Sequence, residues 1–179
     1  LMKILVEGTT GSPTPYGTFY KNFHQQYLIR VNELEDMGGG AGPINSLAFN
    51  VDNVNTCSPM PNFTIKLKHT TQTELTTTFE TGDYTQVFFQ NDFLPVNGWN
   101  THTFSTPWVW DGSSNIIVDI VTTLIPGGYT QNASVFYTTT DVNTALRYQS
   151  DSADAAGSAT GSLSMNRANI RFNMTALVV

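Results

Sequence analysis

The stretch NFTIKLKHT, residues 62–70, alternates strictly. Phe63, Ile65 and Leu67 share one face, and Thr64, Lys66 and Lys68 share the other. A period of two fits a half-buried strand of an antiparallel sheet and does not fit a helix. The same alternation, or a short apolar run, returns along the chain between Gly, Pro, Asn and Asp breaks. It is seen in MKILVE, HQQYLIRV, PINSLAFNV, TQVFFQ, ASVFYTTT, TALRYQS and ANIRFNMTALVV. WNTHTFSTPWVW and SNIIVDIVTTLI read as a hairpin-like pair across DGSS. Strand signals recur about every eight to twelve residues, which predicts an all-β fold, an antiparallel β-sandwich of jelly-roll-like topology. NELEDMGGGAG reads as one helical turn closed by glycines, with Glu33, Glu35 and Asp36 as a solvated cap. The small, polar stretch Ser150–Ser164 reads as a mobile loop rather than a linker, because another strand follows it. Residues 1–179 therefore read as one domain, consistent with the length prior.

Composition narrows the function classes. Charged residues make up 12% of the chain, about half the usual share of roughly 25%. The surface must therefore be mostly Thr, Asn, Ser and Gln. Net charge is −6 with eight Lys plus Arg. No basic stripe exists to neutralise phosphates, which argues against nucleic acid and against anionic membrane surfaces. The single cysteine, Cys57, excludes an internal disulfide and has no metal-ligand neighbours in sequence. LMKILVEG is too short in its apolar part for a signal-peptide core or a membrane span. Leu1 reads as a processed or trimmed terminus. Low charge and Thr/Asn richness point to a secreted protein, extracellular or at the cell surface.

Nothing nominates a catalytic set, so no enzyme is expected. His24, His69 and His102 lie in separate segments without metal-binding spacing. No nucleophile elbow, P-loop or dinucleotide fingerprint occurs. No cofactor is expected, although a structural calcium has weak candidates in Asp111, Asp151 and Asp154, each in an oxygen-rich loop. In TFSTPWVWD, alternation places Phe104, Thr106, Trp108 and Trp110 on one face. Trp108 is expected in the core. Trp110, at the turn edge, is as well placed to touch a partner. The other candidate ligand-binding aromatics are Tyr16, Tyr20, Tyr129 and Tyr148, next to Gly, Pro, Asn or Gln, since sugars stack on exposed rings among polar groups.

The order of these segments resembles a β-sandwich module recurring in secreted or cell-surface adhesin-like proteins of Bacteroidota-type bacteria. The resemblance runs from about Glu7 to Met174 and rests on EGTTGSPTPYG, the QQYLIRV strand, INSLAF, NFTIKLKHT, GWNTHTFSTPWVWDGSSNIIVDI, SVFYTTT and NRANIRFNM. It implies a sandwich, often beside fibronectin-like or sorting domains, with a role in adhesion or polymer binding. It carries over no catalytic residue. In it, Trp108, Trp110, Asp111, Gly112, Ser114 and Asn115 form a structural segment. Asp151-Ser152-Ala153 resembles the short O-glycosylation acceptor of such bacteria, making Ser152 a candidate for modification.

The expected function is a non-catalytic structural or adhesive protein that partners copies of itself in a surface layer or filament. The apolar ends suggest the means. Met2, Ile4, Val6, Leu177 and Val179 lie in strand-like runs that either pair within their own sandwich or complete a neighbour's sheet. The alternative is a carbohydrate-binding module that uses surface tyrosines and amide side chains on glycans.

Overall fold

A computed structural model describes residues 10–11, 13–126, 130–152 and 154–175. They form two antiparallel sheets packed as a sandwich, with one short helix. The strands in chain order begin with β1 (Thr10–Gly11) and β2 (Asn22–Ile29), followed by helix α1 (Val31–Asp36). Next come β3 (Gly42–Asn53), β4 (Phe63–Thr70), β5 (Thr85–Gln90), β6 (Gly98–Trp110) and β7 (Asn115–Thr122). The remainder are β8 (Ser134–Thr139), β9 (Ala145–Ser150), β10 (Ser162–Ser164), β11 (Asn166–Ala168) and β12 (Ile170–Met174). The first sheet centres on β3. β6 lies on one flank of β3, and β12 and β8 share the other, with β1 and β11 attached to β8. The second sheet runs β10-β9-β2-β7-β4-β5. From β2 to β4 and again from β6 to β9, each successive strand changes sheet, which is the jelly-roll-like feature of the path.

The inner faces follow from alternation. Phe49, Val51 and Phe172 from the first sheet meet Tyr27, Phe63, Ile65, Leu67 and Val118 from the second in one buried cluster. At full burial each such side chain stabilises the fold by roughly 1.5–3 kcal/mol. A second, smaller cluster of Leu28, Leu75, Phe79, Ile117 and Leu146 lies on the outer face of the second sheet. This cover explains why all eight residues of β2 are buried, although NFHQQYLI does not alternate cleanly.

Three expectations need correction. β6 and β7 do not form a hairpin, because β6 pairs with β3 while β7 pairs with β2 and β4 in the other sheet. The Asp-Gly turn is an arch between sheets. Its chemistry is local. Asp111 accepts from the amides of Ser113 and Ser114 at 2.9 and 2.8 Å. Gly112 has φ +81 and lies so close to Ala41 that a Cβ would come within 2.8 Å of that side chain. Second, Glu33 is not a free cap acid. It accepts from the Arg30 amide and from both terminal nitrogens of Arg167 on β11, at 2.8 and 2.9 Å. Third, residues 150–164 are not all loop, since a 3-10 turn (Ala155–Gly157) and β10 lie within them.

Trp108 and Trp110 are both buried, at 8% and 0% exposure. Trp110 donates its indole N–H to the Ser114 carbonyl at 2.8 Å, and Trp108 stacks on His69 at 4.3 Å. Thr106, between the buried Phe104 and Trp108, is exposed, and it lies where the β3/β6 register shifts at Ile44/Ser46. Replacing Trp110 or Trp108 by Ala is expected to cost about 3–5 kcal/mol, as large-to-small core changes do. Urea unfolding checks this.

Candidate functional site

Tyr16 does not face solvent. The Pro/Tyr loop folds inward and buries the ring fully, against Phe49, Phe63 and Phe93. Its hydroxyl lies 2.7 Å from His102 Nε2. Ring stacking by a surface ligand is excluded there, and equally at Trp110. Tyr20 is half-buried against Phe19, and Tyr148 is half-buried against the outer apolar cluster. Tyr129 lies outside the described residues, as do Met2, Ile4, Val6, Leu177 and Val179.

Asp151, Ser152 and Asp154 line one cavity of about 320 Å³ together with Lys21, Asn22 and Thr123. Asp151 accepts from the Lys21 amide, and Asp154 accepts from the Ala156 amide at the start of the 3-10 turn. Asp111 is engaged in its own arch. Burial alone would raise its pKa, but the Ser114 hydroxyl, the Ser114 and Ser113 amides and nearby His69 hold it at about 2. Among the described residues no three His, Cys, Asp or Glu side chains converge on a metal position, and no helix is long and apolar enough to cross a membrane. Ser152 is exposed.

Three polar constellations were not singled out by the sequence. The first is buried on the outer face of the second sheet. His24 Nε2 lies 2.5 Å from Asp119 Oδ1, and its Nδ1 lies 3.2 Å from the Ala155 carbonyl. Phe79 stacks on the ring at 4.0 Å. Gln26 donates to Asp119, to the Glu80 carbonyl and to Tyr84. A His–Asp pair suggests acid–base chemistry, but here both ring nitrogens face protein acceptors and one ring face is covered. No ring nitrogen remains for a substrate. The signal in sequence is a polar residue inside an apolar run, Asp119 in IIVDIV and His24-Gln25-Gln26 in NFHQQYLI.

The second constellation is on the outer face of the first sheet. Arg171 of β12 lies over the half-buried Trp99 ring of β6, 4.4 Å from its centroid. The contact reaches across β3 above Ala48, which pairs with both Thr101 and Arg171. Asn50, beside Trp99, and Ser46, between Thr103 and Asn173, extend a polar face around the ring. The third is a cleft at the β10 edge, lined by Arg147, Gln25, Ser162, Ser164 and Asn166.

No protein-family model, no curated protein and no solved structure matches this chain.

Two predictions follow from the buried polar groups. Leaving a buried hydrogen-bonding group without its partner typically costs about 1–3 kcal/mol, so Asp119→Ala, which strands His24 Nε2 and the Gln26 amide, is expected to destabilise by at least that order, read by urea unfolding. His102 is fully buried among Tyr16, Phe63, Phe88 and Phe93. Burial disfavours its charged form and lowers its pKa from 6.5 to about 3. Between those values the unfolded chain binds a proton that the folded chain excludes. This contribution to stability is complete above pH 6.5 and is lost progressively as pH falls toward 3. Urea midpoints should therefore drop between pH 7 and pH 4, and His102→Phe should flatten that drop.

Proposed function

We propose that this chain is a non-catalytic structural or adhesive β-sandwich of the extracellular space that associates with copies of itself through strand edges and terminal segments. One observation carries the reading. The first and last described strands, β1 and β12, both lie on the flank of β3 opposite β6. The apolar runs LMKILV and ALVV adjoin those strands in sequence. Among the described residues, β1 pairs with Val135 and Phe136 of β8 alone. Edge strands followed or preceded in sequence by apolar segments favour β-augmentation between subunits, and a head-to-tail contact that does not close gives an open filament. Low charge leaves few of the edge lysines that block such pairing. The resemblance to secreted adhesin-like modules of Bacteroidota-type bacteria supports the same reading and the cell-surface location. Ser152, exposed in Asp151-Ser152-Ala153, is the proposed O-glycan acceptor.

Electron microscopy and sedimentation test the assembly. Filaments or concentration-dependent oligomers are expected, and deleting Leu1–Val6 should abolish them. Monomers at every concentration would contradict the proposal.

A second reading, glycan binding, is favoured by the Trp99–Arg171 face. Half-exposed indole beside Asn, Thr and Ser suits a sugar ring and its hydroxyls. A glycan array should then give a hit that Trp99→Ala weakens while the melting temperature holds.

A further inference from the structure

We infer that the cleft at the β10 edge binds a carboxylate on a hydroxylated carrier, that is, a sugar acid. The cleft encloses about 190 Å³ between Pro13, Gln25, Arg147, Ser162, Ser164 and Asn166. It opens beside the edge strand of the second sheet, where Ser162 and Ser164 pair with Arg147 and Ala145. This site is independent of the strand-edge contacts proposed for assembly and of the Trp99 face.

Arg147 of β9 lines the cleft. Its Nε donates to Gln25 Oε1 at 2.9 Å, and its Nη2 donates to the Thr14 carbonyl at 2.7 Å. Its guanidinium lies over the Phe23 ring, 5.1 Å from the centroid. None of these partners is an anion. Tyr27, nearby, is held protonated by burial and donates to the Pro13 carbonyl, so it supplies no counter-charge. The other enclosed cations differ. Arg30, Lys68 and Arg167 each hold a carboxylate oxygen at 2.6–3.0 Å. Among the described residues, Arg147 forms no such pair. Burial also works against its charge. A cation fixed in this way, beside a cavity and with no counter-ion among the described residues, is complementary to an oxyanion.

The remaining lining chooses among oxyanions. Ser164 Oγ accepts from the Asn166 amide and keeps its own proton to donate. Gln25 gives both amide protons to the carbonyls of Gln26 and Leu146, which fixes its oxygen toward Arg147. Ser162, on the exposed rim, and the Asn166 side chain add groups suited to hydroxyls. The chain as a whole carries −6, so net charge does not draw anions to it and affinity for one has to come from local contacts.

Isothermal titration with galacturonate, trigalacturonate, galactose and sulfate tests the assignment. Galacturonate should bind and galactose should not. Arg147→Gln should weaken binding roughly ten- to hundredfold, as loss of hydrogen bonds to a charged group does. Because that change could unfold the chain, Ser162→Ala on the rim is measured beside it, with an expected loss of about threefold and an unchanged melting temperature. Tighter binding of trigalacturonate assigns the acid to a polymer, and equal binding assigns it to a free or terminal unit. The inference is overturned by absence of galacturonate binding, by equal binding of galactose or sulfate, or by affinity unchanged in both variants. Loss of filaments on deleting Leu1–Val6 bears on assembly alone.

Discussion

The second sheet depends on keeping the Asp119 carboxylate paired. The residue sits on β7, a central strand, at 7% exposure. A carboxylate there is costly unless it is hydrogen-bonded and charge-matched. His24 and Gln26 from β2 meet it on one side. The segment around Phe79, Glu80 and Tyr84 and the 3-10 turn at Ala155 close over them. Lys68 of β4 then holds Glu80 at 3.0 Å and so anchors the cover to the sheet. With that cover in place, Leu28, Ile117 and Leu146 gain an apolar partner on what would otherwise be a solvated face.

Among the described residues, no comparable cover lies over the outer face of the first sheet. Its inner face is held by an aromatic cluster around His102, in which Tyr16 closes the space between sheets. Its outer face carries the Trp99–Arg171 contact. The second sheet contributes openings of its own, beside Arg147 and beside Asn22 and Asp151. The polar residues thus divide into those that hold the sandwich together and a small set near edges and openings with capacity left over. The proposed assembly, glycan and sugar-acid contacts draw on the latter set.

The strands of alternating pattern were legible in sequence. Phe63, Ile65 and Leu67 point inward as their period demands, and Trp108 joins the core. The sandwich follows from such segments. Strand partners do not, because alternation fixes a face and not a neighbour. DGSS reads as a hairpin loop, yet it carries the chain from one sheet to the other. Tyr16 was misplaced for a related reason. Flanking Gly and Pro mark a loop, but they do not say that the loop turns inward. The candidate sites were the least legible part. Arg147, Gln25 and Ser162 are far apart in sequence and meet only through the pairing of β2, β9 and β10.

β2 and β7 are sealed on both faces, by the shared core on one side and the Asp119 network on the other. Native-state amide exchange tests it most directly. Amides of Gln26 and Val118 are expected to exchange only through global unfolding, with protection equal to the full unfolding free energy. Exchange at those amides through a local opening well below that limit would contradict it.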